Sequence, residues 1–421
     1  MNTKINGNKL LLCYISGLDL RRIKSETTPF ISESLDSYPK AYIRNLPSND
    51  LLPTILTGAY PTEHGMWGVK LNNKTGESFS AKLIDLLPDI VTTSVQCLVH
   101  FFTGSFDLAA IPPRRRRLFE LKRTKYHRRT RLTDALLEIG GIETCLGVVG
   151  KSQTRYLYTN SSDPIKNVLD KIGSGLYKLE ILELYSLDLM QQWNLDSVEK
   201  VTGFYSRIDK FLNRLAERCK SHGVVLALLS DHGHEEIRGS IDIRRELNGL
   251  KTAEDEYTFF IDVSIARFWF RTVSARNKIL SKLSELENVT LFTSKDLNEY
   301  NLSFVDSQYG EVFLFAEPGY IFFPHDFYQP VANLYLALSD SRQRSRLKDP
   351  RHRGTHGYLP HHESERAFMV VFGQNCEGIR EEIDIIDVAP SILSLLGFPR
   401  PDSMRGSPNF SYSNEHSNPS R

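Results

Sequence analysis

This sequence predicts an α/β fold with a mostly parallel central sheet flanked by helices, and three observations carry the prediction. Residues 10–15 and 224–229 are short continuous apolar runs rich in Leu and Val and bounded by glycine or polar residues, the pattern of strands buried on both faces. From Ser197, the cap by residue type, Val198, Val201, Tyr205, Ile208, Leu212, Leu215 and Cys219 step by three and four, and this amphipathic helix runs directly into the second strand. Helix followed by strand is the order that builds parallel sheets. The strand stops at Ser230, and Asp231-His232-Gly233-His234-Glu235 follows. A carboxylate and imidazoles then stand where such sheets place their chemistry, at the carboxyl end of a strand.

The chain of 421 residues is long enough for one large α/β domain with insertions, or for two domains. Its 40% hydrophobic and 24% charged fractions are those of an ordinary globular protein, and a net charge of +1 exerts no global pull toward nucleic acid or membrane. The five cysteines are scattered and odd in number, so neither a disulfide framework nor a Cys-x-x-Cys metal knuckle is expected. The apolar run after Lys4 and Lys9 is too short for a signal segment. No stretch reaches the roughly 18 apolar residues of a membrane span. A reducing, cytoplasmic location is the expectation.

In chain order, residues 10–15 form a first strand broken by Ser16-Gly17, Thr27-Thr28-Pro29-Phe30 turns into a short helix, and residues 41–43 read as a second strand. Residues 51–56 suggest a helix closed by Gly58. A helix at 84–87 and a strand at 94–100 follow, then a helix at 134–139 stopped by Gly140-Gly141, a strand at 144–149, and a strand from 181 ending in Asp188. Beyond Glu235, strands at 257–261 and 265–270, a helix at 274–286 and a strand at 311–316 suggest a smaller α+β, cap-like insertion. Residues 368–372 supply a last core strand and 384–396 a closing helix ended by Gly397. The expected division is a core over 1–235 with a basic arm at 112–131, a cap-like insertion over 236–350, a closing core part over 351–406, and a Ser-, Asn- and Pro-rich disordered tail over 407–421.

Three groups of residues carry candidate chemistry. Asp231 and His232 are O and N donors on a tight turn; they can terminate the strand through hydrogen bonds or hold a divalent metal. Ser48 and Asn49 precede the helix at 51–56, where free amides favour an anion or an activated hydroxyl, though a helix N-cap is the commoner role of such a serine. The arm from Arg114 to Arg131 holds ten Lys or Arg in eighteen residues, including Arg114, Arg115, Arg116 and Arg117. Phosphates suit such a patch, yet only Phe119 and Tyr126 interleave it, so a stacking platform for nucleic acid is not indicated and a solvated basic surface is the commoner meaning.

Leu46-Pro47-Ser48, then Leu56-Thr57-Gly58-Ala59-Tyr60-Pro61-Thr62-Glu63-His64-Gly65, then Asp231-His232-Gly233, Thr355-His356-Gly357-Tyr358 and Asp387-Val388-Ala389-Pro390 occur in an order that resembles the alkaline phosphatase superfamily, in its type I phosphodiesterase and nucleotide pyrophosphatase branch. The resemblance spans roughly residues 10–406. It implies an alkaline-phosphatase-like sheet with two zinc ions over its carboxyl edge, bridged by the reacting phosphate, and a Thr or Ser nucleophile. Ser48 matches the nucleophile, Asp231 and His232 match ligands of one metal, and Asp188 and His356 match ligands of the other.

Departures accompany these matches. The family's first strand ends in an Asp ligand where this chain has Ser16, and its Asp188 motif continues to a His where this chain has Gln192. An Asn that helps bind the phosphoryl oxygen in some members is replaced by Val69. Ser and Gln bring no charge and are weak zinc ligands. Asp19, His64 and His234 are the residues at hand to compensate. The expectation is a metal-dependent hydrolase of phosphodiester or phosphoanhydride bonds acting through Ser48 on a phosphorylated small molecule or nucleotide. The alternative is a degenerate relative that binds a phosphorylated ligand or a protein partner. Sulfatase chemistry fits poorly, since Ser48-Asn49-Asp50 lacks the Pro and Arg of that motif.

Overall fold

The apolar runs become strands whose alternate side chains enter two separate cores. A computed structural model of the chain describes residues 9–48, 50–67, 87–103, 133–250, 252, 256–304, 307–373 and 375–412. The basic arm at 112–131 and Val69 lie outside the described residues. In chain order the two larger sheets comprise β1 (Lys9–Ile15), β2 (Lys40–Arg44), β3 (Thr154–Thr159), β4 (Leu179–Leu184), β5 (Val224–Ser230), β6 (Tyr257–Ile261), β7 (Ile265–Phe270), β8 (Val289–Thr293), β9 (Val312–Ala316), β10 (Ala367–Phe372) and β11 (Glu382–Asp384).

The central sheet has seven strands in the order β11-β2-β10-β5-β1-β4-β3. All neighbours are parallel except that β10 runs antiparallel to both β2 and β5, so the sheet is mixed rather than wholly parallel. Side chains alternate across a strand. Leu10, Leu12 and Tyr14 of β1 accordingly pack with Leu52, Ile55 and Ile392 on one face. Leu11, Cys13 and Ile15 pack on the other with Phe204, Ile208, Phe211, Leu212 and Leu215 of the long helix Val198–Ser221. That helix follows the 3.6-residue spacing of its apolar positions and delivers the chain to β5. Ser197 holds its N-cap position without a side-chain capping bond.

The smaller sheet is antiparallel, in the order β6-β7-β9-β8. Ile279 and Leu283 of the helix Val273–Ser284 pack into its core. Strand β8, not anticipated from sequence, is half-buried along its length and has no buried face to announce it.

Several local expectations are corrected. Residues 145–149 form a helix, Cys145–Val149, because Thr144 caps it by accepting from the Gly147 amide; a run this short carries no period to separate helix from strand. Residues 94–100 lie within the helix Asp89–Thr103. Residues 133–136 make a 3-10 turn leading into a hairpin of Glu138–Ile139 with Ile142–Glu143. Order also extends past the expected boundary at 406, since Phe410–Tyr412 pairs antiparallel with Cys376–Gly378 and Phe410 is buried. Among the described residues no helix is long and apolar enough to cross a membrane.

Candidate metal centre

Strand register decides what meets at the sheet edge. Ile15 pairs with Leu184 on one side and Ser230 on the other, so Ser16, Tyr185 and Asp231 leave the sheet side by side. After Tyr185 the chain turns at once into the helix Ser186–Asn194, whose first turn carries Asp188; the residue sits on a helix rather than at the end of a strand. Gly354–Thr355 pairs with Glu235–Glu236 and brings His356 back over the same edge.

Asp188, His232 and His356 converge there, each offering a ligand atom within 4.8 Å of the others. The His232 and His356 rings stack 3.6 Å apart at 6°, and His356 Nε2 lies 3.6 Å from Asp188 Oδ1. Asp188 Oδ1 and His356 Nδ1 are buried without a hydrogen-bond partner. Orphaned donors of O and N type fit a divalent ion such as zinc.

His234 joins this group. It is fully buried, and its Nε2 lies 3.1 Å from Asp188 Oδ1 without the alignment of a hydrogen bond. Asp19 accepts from its backbone amide at 3.3 Å and is paired with Arg21 at 2.8 Å. Gly233 is required by that packing, since a Cβ there would come within 2.4 Å of Asp19 Cγ. Burial pushes the Asp188 carboxyl up, but His234, His356 and His232 hold it below the usual carboxylate range.

The residues that depart from the expected ligand set have a common local effect. Ser16 donates its hydroxyl to Asp231 Oδ2 at 3.2 Å, and Gln192 donates its amide to Asp188 Oδ2 at 2.6 Å. Each neutral group makes a hydrogen bond to the carboxylate it faces. Asp231 Oδ2 also accepts from the Tyr14 hydroxyl, Oδ1 accepts from the Gly17 amide at 3.1 Å, and His232 Nε2 lies 3.2 Å away. Asp231 is thus engaged as a hydrogen-bonded strand terminus and is not among the three residues whose ligand atoms converge. Burial opposes protonation of His232, yet Asp231 raises it to about 10, while burial and the neighbouring His232 push His356 well below the usual histidine range.

Ser48 is buried in the loop between β2 and the helix Leu52–Thr57. Leu51, not Ser48, occupies the N-cap position. The Ser48 hydroxyl donates to the Asp50 carbonyl at 3.1 Å and accepts from the Asp50 amide at 3.2 Å. The loop is tied to the site by Asn45, whose amide donates to the carbonyls of Asp231 and Glu365. His64 stands apart, with its Nε2 3.1 Å from the Thr54 hydroxyl. Glu365 was not singled out from sequence: both its oxygens accept from the Gly357 amide at 3.1 Å beside His356, and burial raises its carboxyl to about 7. Arg114, Arg115, Arg116 and Arg117 lie outside the described residues.

No family model and no curated protein matches the chain. Solved structures do. Human ectonucleotide pyrophosphatase/phosphodiesterase 5 superposes with a TM-score of 0.61 at 15% identity, covering 95% of this chain and 97% of that one. The murine protein gives a TM-score of 0.60 at 14% identity, with 94% and 96% covered. An inactive variant of the murine protein in complex with AMP gives 0.60 at 15%, with the same coverage. At this identity the likeness is one of fold, and over nearly its whole length the chain has the fold of these nucleotide pyrophosphatase/phosphodiesterase structures.

Proposed function

We propose that the chain is a metal-dependent hydrolase of phosphodiester or phosphoanhydride bonds, built around one divalent ion rather than two. The observation that carries this reading is the convergence of Asp188, His232 and His356 on one another at the carboxyl edge of a sheet shared with phosphodiesterase structures. Zinc suits the donor set, and a bound ion supplies neutralisation of phosphoryl oxygens and a lowered pKa for a hydroxyl that touches it. Asp188, His232 and His356 would hold that ion, with Asp231 beside His232. Ser48 is the proposed nucleophile, and its hydroxyl must leave the Asp50 carbonyl to attack. AMP bound to the murine neighbour supports a nucleotide or another phosphorylated small molecule as substrate. We place the arm at 112–131 in substrate attraction, with nucleic acid as an unfavoured partner, and the chain in a reducing, cytoplasmic compartment. Five buried cysteines, all unpaired, support the last point.

A second reading is favoured by one observation: Asp231 is fully engaged by Tyr14, Ser16, Gly17 and His232, which leaves the second ion of a two-metal mechanism without its carboxylate. The chain would then bind a phosphorylated ligand without turning it over. Elemental analysis of the purified chain, paired with turnover of bis-p-nitrophenyl phosphate in added zinc or manganese, separates the two. The hydrolase reading expects one tightly held ion per chain and a loss of roughly 10³-fold or more in turnover for Ser48→Ala. A metal-free chain inert toward phosphodiesters and nucleotides alike leaves the binding reading in its place.

A further inference from the structure

A second cluster of unsatisfied polar groups surrounds Trp193, on the helix that carries Asp188. Arg346 lays its guanidinium over the Trp193 indole, 3.6 Å from the ring centroid. His352 meets the same indole edge-on at 4.5 Å, and the His325 ring lies 5.7 Å from that of His352. Arg346 Nε, Trp193 Nε1, His325 Nδ1 and His352 Nδ1 are all buried without a hydrogen-bond partner. His325 is only 8% exposed. Such a concentration is unusual, because native proteins pair nearly all their buried polar atoms.

Among the described residues no carboxylate is paired with Arg346. Its Nη1 donates to Asn333 Oδ1 at 3.1 Å, a neutral acceptor. Asp340 is the acid that acts on it from a distance, and Asp340 is already paired with Arg342 at 2.9 Å. Burial holds the guanidinium down at about 9 despite Asp340, and burial with the charge of Arg346 holds His325 down at about 3. A half-buried guanidinium whose Nε is shut off from water favours a nearby negative charge, since arginine keeps its proton under ordinary conditions.

The cluster is firmly placed. Ser345 donates its hydroxyl to the Trp193 carbonyl at 2.7 Å, Asn194 donates its side-chain amide to the Arg342 carbonyl at 2.8 Å, and the Arg353 amide donates to the Gln192 carbonyl at 2.7 Å. These bonds fasten the Ser341–Leu347 segment and the approach to His356 onto the Asp188 helix. A metal ion is the wrong occupant, since Arg346 would repel it. An apolar group is also wrong, since it would leave every orphaned N–H unpaired. An oxyanion answers both requirements, supplying a negative charge to Arg346 and acceptors to the imidazole, indole and guanidinium nitrogens.

We infer that Arg346, His325, His352 and Trp193 form an anion pocket that takes a phosphate group, separate from the candidate metal centre and joined to it through the Asp188 helix. This rests on the proposed function only for the suggestion that the phosphate is carried by the substrate. The pocket itself can be tested without turnover. Inorganic phosphate is titrated calorimetrically into the full chain before and after treatment with a chelator, and into Arg346→Gln and Arg346→Lys.

The expected result is saturable phosphate binding that survives chelation, weakens about tenfold or more in Arg346→Gln, and is largely kept in Arg346→Lys. Should Arg346→Gln not fold, His325→Ala gives the same reading and should weaken phosphate binding by a smaller factor. Competition by ADP assigns the phosphate group to a substrate, and its failure assigns the pocket to free phosphate. The inference is overturned if phosphate does not bind the wild-type chain, if Arg346→Gln binds it as the wild type does, or if chelation abolishes binding. In the last case the phosphate belongs to the metal. Because no rate is measured, these outcomes stand apart from the fate of the hydrolase reading.

Discussion

At the scale of single residues, Ser16 bears on the proposal of one metal ion rather than two. Its hydroxyl donates to Asp231 at 3.2 Å. An aspartate in its place would bring a second carboxylate to a distance where the repulsion is worth about 4 kcal/mol at an effective dielectric of about 20, unless a cation lies between. Ser16→Asp is therefore expected to lower the urea midpoint of the chelated chain, to recover it on addition of zinc, and to raise the bound metal from one ion per chain toward two. A variant as stable as the wild type in chelator would show that Asp231 does not need a neutral neighbour. Sequence alone exposed this substitution, because Ser16 stands before Gly17 where the family motif has its aspartate. His234 was harder to weigh. Its approach to Asp188 is created by the pairing of β1 with β4 and β5, and no local motif encodes a contact made across three strands.

Elements were legible in proportion to the length of their pattern. The helix Val198–Ser221 and strands β1, β5, β6 and β7 follow from sustained periodicity or from bounded apolar runs. The helix Cys145–Val149 and strand β8 did not, the first for its length and the second for its half-exposed character. A tertiary contact hidden from sequence also starts the helix Pro29–Ser37. Thr28 makes no side-chain capping bond there; instead Asp209, from the long helix, accepts from the Phe30 and Ile31 amides at 3.3 and 2.9 Å. Burial raises the Asp209 carboxyl, and the Ile31 and Phe30 amides, with the charge of Lys210, offset that desolvation only in part. Asp209→Ala should cost about 1–2 kcal/mol by denaturant unfolding, as capping losses do, and Asp209→Asn should cost less because it keeps one acceptor. Equal midpoints for wild type and Asp209→Ala would mean that the first turn finds its acceptors elsewhere.

For the molecule as a whole, buried neutral histidines set a limit on acid stability. His64 accepts from the Met66 amide on Nδ1 at 3.3 Å, which leaves Nε2 to donate to Thr54. Protonating Nδ1 would put two donors face to face in a buried place, and burial accordingly lowers its pKa to about 3. The unfolded chain takes up a proton near the ordinary histidine value of about 6.5, so between those two values it binds more protons than the folded chain, and stability falls as the pH falls. Over the full window the loss is on the order of 3–5 kcal/mol for such a group. Carboxylates such as Asp188, whose folded pKa is depressed, lose their contribution in acid as well, so the wild-type curve alone does not isolate His64. The difference from His64→Gln does, because glutamine can keep a donor toward Thr54 without titrating. The variant is expected to be less stable near pH 8 and to lose less of its urea midpoint between pH 6.5 and 4, bringing the two curves together in acid. Curves that stay parallel across that interval would show that His64 titrates alike in the folded and unfolded chains, and that the acid limit lies with the carboxylates.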